Sequence, residues 1–497
     1  MSVSSPQLNR RHMLLSAAGL GLSQAISLPA FAADKADWRI GWQNTRSDVL
    51  RTPDMKVISG ALPKGLRGTL YRNGPAIFTR GETSVDHWFD GDGMVQAFTI
   101  GGGKASHVGR LGATEKLETE SKADRISVHG FGTSAKNPSP MRGPDSANAA
   151  NTSVLPVNGE LLSLWEGGSA YSMDMETLET RGIKVWRDDL KGMPFSAHPK
   201  VERDGTIWNF GQAAQANILV VYKISARGEL QSFDMIKDVP GGMIHDFCMT
   251  ERHLIFVCPS LRAISKGHGD GSYLSRFEWK KDAPQRVVVL DKSDLSARRD
   301  YDLPPGFQFH FGNAYEGKDG EIKFSMCTGG AKFAQKNARE LVKGVLPKPA
   351  PSTLTEVTLR KDGTASEQKL LGGIEDCEFP QFSALRSGLR AQYLYMVGGS
   401  KPGRPGHSEI IKYDMAAGRA DRFDYGAYAL VEEHLFVPRD GAAAEDDGWL
   451  VGTVLDYKTK QTRLNVFDAR RISDGPIAVL ALDYALPLGF HGTWAGV

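Results

Sequence analysis

Beyond about residue 55 the chain alternates between short apolar runs and small turn signals. The runs at 161–165, 206–210, 254–257, 286–290, 393–397 and 449–454 are rich in Leu, Ile, Val, Phe, Trp and Tyr. They are too short for helices and predict strands buried on one or both faces. Between them lie Asn158-Gly159, Asp204-Gly205, Asp319-Gly320, Asp362-Gly363 and Asp447-Gly448. Such pairs reach positive φ at low cost and predict tight hairpins. Helical periodicity is scarce. Its clearest instance is 331–346, where Phe333, Leu341, Val342, Val345 and Leu346 stand among Lys332, Lys336, Arg339 and Lys343. That pattern suits a peripheral membrane contact or a solvated helix on the rim of a larger fold. Many strands and frequent turns in one long chain favour an all-β propeller over a sandwich. No clean repeat is visible, so the number of blades is not readable from the pattern.

The first 32 residues depart from it. Arg10-Arg11 opens an apolar stretch ending in Ala30-Phe31-Ala32, which predicts a twin-arginine signal read by the export machinery and a periplasmic location. The stretch is too short and too rich in Gly and Ser for a membrane span. The fold is expected in residues 33–497. Removing the signal takes two arginines and no acid, leaving 58 basic and 58 acidic residues. A balanced charge argues against nucleic acid as a partner. Hydrophobic content of 41% with 24% charged residues is ordinary for a globular chain. Cys248, Cys258, Cys327 and Cys377 form no Cys-x-x-Cys pair; Cys248 and Cys258, in apolar runs, read as small buried hydrophobes.

Four histidines have unusual surroundings. His198 lies in Ser-Ala-His-Pro-Lys, His245 in Met-Ile-His-Asp-Phe, His310 in Phe-His-Phe-Gly-Asn and His491 in Gly-Phe-His-Gly-Thr-Trp. Successive members are 47, 65 and 181 residues apart, so only a converging fold brings them together, and the inner strands of a propeller converge on one axis. Four neutral imidazoles would leave a divalent ion its full charge and suit Fe, Zn, Cu or Ni. A closed structural zinc site would use cysteines at short spacing. A ligating imidazole usually donates its second N–H to a carboxylate, and Glu166, Glu378 and Glu433 stand at apolar strand segments where they could accept it. His434 neighbours Glu433 and should face the other way along a strand. His107, His129, His253, His268 and His407 sit in polar or turn surroundings. His87 with Asp90 and Asp92 lacks the further oxygen ligands of a calcium loop and reads as a turn.

The segment Leu66-Arg67-Gly68-Thr69-Leu70-Tyr71-Arg72-Asn73-Gly74-Pro75, followed by His87-Trp88-Phe89-Asp90-Gly91-Asp92-Gly93-Met94, resembles the opening of the carotenoid cleavage oxygenases. The resemblance continues through Ala150-Asn151-Thr152, Leu-Trp-Glu-Gly-Gly at 164–168, all four histidine segments, Glu378-Phe379-Pro380-Gln381 and Glu433 to Pro438. It extends over roughly residues 60 to 497. It implies a seven-bladed β-propeller capped by a dome of loops, with one Fe(2+) per subunit on the axis held by His198, His245, His310 and His491. It assigns Glu166, Glu378 and Glu433 behind the ligands and Thr152 beside the open coordination position.

The activity implied is an oxidoreductase that uses O2 to split a conjugated C=C bond of an apolar carotenoid or apocarotenoid into two carbonyls. Phe309, Phe311, Phe379, Phe382 and Phe490 flank the ligand motifs and are the expected substrate contacts. The Leu-Trp-Glu-Gly-Gly segment looks more like the apocarotenoid branch than the stilbene-cleaving one. The alternatives are a stilbene-cleaving dioxygenase, a retinoid-type isomerase using iron as a Lewis acid, and a propeller that binds apolar molecules without turnover.

Overall fold

The computed structural model describes residues 36–264, 269–370, 372, 374 and 376–496. The expected export signal lies outside them. Among the described residues, seven antiparallel sheets of four or five strands form the blades of an all-β propeller. The apolar runs are strands as expected, and the hairpin at Asn158-Gly159 joins Ser153–Val157 to Glu160–Leu164 with φ of 47° and 76°. Asp447-Gly448 behaves differently. Gly448 opens the strand Gly448–Asp456, and a Cβ there would lie 2.5 Å from the Val437 carbonyl and 2.6 Å from the Phe436 ring. Close approach, not positive φ, requires that glycine.

The core is distributed between blades. Trp208, Phe210, Phe247 and Phe256 pack the third blade on the fourth, with Phe247 and Phe256 stacked at 5.2 Å. Val257, Val289, Phe311, Phe324 and Val357 fill the next interface. All four cysteines are buried and unpaired.

Two blades are composites. The strand Gly492–Gly496 adds to the inner edge of the first blade by pairing with Gly68–Ile77. The strand Lys56–Gly60 adds to the outer edge of the seventh by pairing with Ala478–Ala481. Arg72 ties the junction: its guanidinium, 2% exposed, donates to the Glu433 carbonyl at 2.8 Å and to Glu432 and the Phe490 carbonyl at 3.2 Å.

The segment expected as one helix over 331–346 is continuously helical over 331–342, with a π-helical stretch at Phe333–Asn337 running into the α-helix Ala338–Val342. It stops there because Gly344 takes a φ of 69° and Pro347 and Pro349 follow. Phe333 and Leu341 pack inward against Trp42, Trp88 and Phe490, so much of its apolar face is already covered. Val345 and Leu346, beyond the helix, are exposed.

His107, expected in polar surroundings, is buried against Phe98, with Nδ1 2.9 Å from the Tyr484 hydroxyl and Nε2 2.8 Å from Gln96 Oε1. Burial pushes it down to about 3, and pushes His87 and His434 down to about 4. These folded values lie below the ordinary 6.5, so the unfolded chain takes up protons first. Their contribution to stability is complete above about pH 6.5 and is lost as pH falls toward the folded values, by about 1.4 kcal/mol per pH unit for each histidine. The urea midpoint should therefore fall steeply between pH 6.5 and 4. A flat profile there would contradict burial of these rings in the neutral form.

Candidate metal centre

Every blade directs a side chain toward the axis. His198 stands just before the third blade's innermost strand, Lys200–Val201, and His245 just before the fourth's, Cys248–Met249. His310 lies within the fifth's, Gln308–Glu316, and His491 immediately before the first's, Gly492–Gly496. Glu378 and Glu433 lie within the innermost strands of the sixth and seventh blades, Cys377–Gln381 and Ala429–Pro438. The second blade supplies Thr152 before its first strand and Glu166 after its second.

Three of these strands bend at the functional residue. Pairing slips between Gln308 and Phe311, between Glu378 and Gln381, and between Val431 and His434. A bulge breaks the two-residue alternation and re-aims side chains. Phe379, beside Glu378, has a φ of 54°, a conformation costly for an aromatic residue and held only by well-determined surroundings.

The coordinating atoms of the four histidines lie within 4.8 Å of one another. Nε2 of His198 is 2.9 Å from that of His245, which is 3.3 Å from that of His310; His310 and His491 are 3.1 Å apart. Three of the rings are held from behind. His245 Nδ1 donates to Glu166 Oε1, His310 Nδ1 to Glu378 Oε2 at 2.7 Å, and His491 Nδ1 to Glu433 Oε1 at 3.1 Å. This places the proton on Nδ1 and leaves three Nε2 lone pairs facing one another with no proton between them. Such an arrangement is repulsive unless a cation sits among them, so the donor set fits a divalent metal. A metal–nitrogen bond of about 2.1 Å puts nitrogens at right angles about 3.0 Å apart, close to the spacings seen.

The carboxylates are anchored in turn. Glu433, 1% exposed, also accepts from Gln381 Nε2 at 2.8 Å and the Gly492 amide at 2.7 Å. Glu378 accepts from Ser352 Oγ at 2.9 Å. Burial alone would raise the Glu433 carboxyl, but His491, Arg72 and the Gly492 amide outweigh it and hold it below the usual range. Burial, reinforced by the other three imidazoles, keeps His198 well below its usual value; burial also lowers His491 against the pull of Glu433. At His245 burial acts downward, yet the charge and hydrogen bond of Glu166 raise it.

A cavity of about 620 Å³ opens onto His245, His310 and His491. Trp88, Phe89, Phe131, Phe309, Phe379 and Phe490 give it an aromatic lining, and Thr152 contributes to the wall. The Thr152 hydroxyl donates to Asn151 Oδ1 at 3.1 Å. Of the expected contacts, Phe309, Phe379 and Phe490 line the cavity; Phe311 and Phe382 do not. After the bulge Phe311 turns into the packing with Phe324 between blades, and Phe382 packs beside Leu394 and Met396. His434 faces away, with Nδ1 2.8 Å from the Glu432 carbonyl.

Sequence reasoning passed over Gln381, Ser352, Lys200 and Asp246. The last follows His245 directly, and a carboxylate between Ile244 and Phe247 was a readable signal.

A family model described as Retinal pigment epithelial membrane protein (RPE65) matches residues 43–496. Apocarotenoid-15,15'-oxygenase of Synechocystis sp. is 28% identical over 469 residues, covering 88% of this chain and 92% of that protein. Resveratrol cleavage oxygenase 1 of Aspergillus fumigatus is likewise 28% identical over 469 residues, covering 88% and 91%. The crystal structure of cobalt-substituted Synechocystis ACO aligns with a TM-score of 0.81 at 25% identity, over 93% of this chain and 98% of that one. The chain belongs to the carotenoid cleavage oxygenase family. Within it, the protein is an enzyme of the oxidoreductase class that incorporates molecular oxygen.

Proposed function

We propose that the protein is a non-haem Fe(II) dioxygenase cleaving one conjugated C=C bond of an apocarotenoid or carotenoid, so that the two alkene carbons each take one atom of O2. The observation that carries this reading is the meeting of a four-imidazole site with an aromatic cavity that three of its histidines face. When bound, Fe(II) supplies a redox centre with coordination positions left for small molecules. The chain's own residues do the rest. His198, His245, His310 and His491 hold the ion, and Glu166, Glu378 and Glu433 fix three of the rings in one tautomer. Phe309, Phe379 and Phe490 exclude water and press a flat polyene against the site. Thr152 narrows the space beside it. No side chain need transfer a proton.

The Leu-Trp-Glu-Gly-Gly segment favours an apocarotenoid, while the similarity to a resveratrol-cleaving enzyme keeps a hydroxystilbene as the second reading. Aerobic incubation of iron-loaded protein with an apocarotenal and, separately, a hydroxystilbene tests both, with products read by mass. Two shorter aldehydes from the apocarotenal and oxygen consumption are expected. Cleavage of the stilbene alone would select the second reading, and isomerised product without oxygen uptake would overturn both.

Two further assignments belong to this proposal. The exposed Met141, Val345 and Leu346, near the cavity-lining Pro144, Pro347 and Pro349, provide a surface for peripheral contact with the membrane in which such substrates dissolve. Arg10-Arg11 and the segment after it direct the protein to the periplasm by the twin-arginine route.

A further inference from the structure

His198 differs from the other three ligands. Among the described residues, its nearest carboxylate oxygen is Asp246 Oδ1, 3.9 Å from Nδ1 and beyond hydrogen-bond reach. That oxygen is engaged elsewhere: it is ion-paired with Lys200 Nζ at 2.7 Å and accepts from the Phe247 amide at 2.7 Å. The other oxygen, Oδ2, accepts from the Phe311 amide at 3.1 Å. The carboxylate is 3% exposed.

Each partner neighbours a ligand. Lys200 is two residues past His198, Asp246 adjoins His245, and Phe311 adjoins His310. One buried carboxylate thus joins the chain segments carrying three of the four imidazoles, across the third, fourth and fifth blades. The Phe311 bond also falls at the bulge that re-aims His310. Charge points the same way. Glu166, Glu378 and Glu433 already place three negative charges around a doubly charged ion. A fourth carboxylate beside His198 would add another, and Lys200 cancels it.

We propose that Asp246 is a positioning residue that sets the geometry of the metal cage, and that Lys200 neutralises it and keeps it off His198. The proposal rests on the four histidines binding a metal, and goes beyond that reading in assigning the brace. An amide in place of the carboxylate loses the charge that pairs with Lys200 and leaves only one oxygen for the two backbone amides, whereas loss of the lysine leaves both amide bonds in place. It also leaves Oδ1, still held by the Phe247 amide, without the cation that competes for it with His198 Nδ1. The two variants break the same ion pair, so a merely structural pair would make them alike.

The test is titration of metal-free wild type, Asp246→Asn and Lys200→Met with Co²⁺, reading affinity and the visible d–d bands, with thermal unfolding as a check on folding. Asp246→Asn is expected to lose about tenfold or more in affinity and to shift the bands. Lys200→Met should keep wild-type affinity or exceed it, with bands shifted in a different way. Wild-type affinity and bands in Asp246→Asn, or an equal loss in Lys200→Met, would overturn the brace. If Asp246→Asn does not fold, Lys200→Met decides: retained affinity with shifted bands supports it, and a tenfold loss or unchanged bands overturns it. Wild type that binds no Co²⁺ would instead remove the metal reading itself.

Discussion

Replacing His245 with alanine should yield a folded protein that retains no iron after dialysis and consumes no oxygen with a polyene substrate. The ring supplies one of four nitrogens, and its Nε2 lies within 3.3 Å of two others. Removing an outer-shell partner of a metal ligand typically costs about 10- to 100-fold in affinity, so losing the ligand should cost more than a hundredfold. Folding should survive, because Glu166, the carboxylate left behind, is 32% exposed and opens onto the cavity where water can solvate it. Metal analysis and oxygen uptake check the prediction. A variant with full iron and activity would exclude His245 from the cage.

The second large effect is expected at Glu433. Replacing it with glutamine keeps one carbonyl oxygen but puts an amide N–H2 among groups that all donate: His491 Nδ1, Gln381 Nε2 and the Gly492 amide. One donor loses its acceptor in a site 1% exposed, which costs about 1–3 kcal/mol of stability. Metal affinity should fall about 10- to 100-fold. Because the folded carboxyl sits below its ordinary value, the wild-type stabilisation is present above about pH 4.5 and is lost as pH falls further. Glu433→Gln should therefore have a shallower acid limb. The same substitution at Glu166, where the pairing with His245 is part exposed, should lower the melting temperature less. The reverse order would contradict this account of the carboxylates.

The strands and hairpins were legible because short apolar runs and Asn-Gly pairs act locally. The four histidines stood out by their neighbours, and the family resemblance placed three glutamates behind them. What escaped the sequence is what depends on distance. Phe309 and Phe311 have the same parity about His310, yet the bulge sends one to the cavity and the other between blades. Nothing in a single strand announces that slip. The same holds for the composite blades, whose added strands come from segments more than 400 residues away from their partners. The helical segment expected over 331–346 is legible in its period, but its apolar side turns toward Trp42 and Trp88, a destination visible only in three dimensions.

The strand Gly492–Gly496 has a further consequence. It closes the ring on the first blade, and His491, the residue before it, is the fourth histidine of the cluster. Mechanical closure and completion of the coordination set are thus one event. A chain that has formed its other six blades but not yet docked this strand can offer an ion at most three imidazoles. Tight metal capture therefore reports that the last piece has arrived, and a bound ion in turn resists reopening of the ring. The metal would serve as a fastener on the seam that closes the ring as well as a reagent, so metal-free protein should unzip first at that strand.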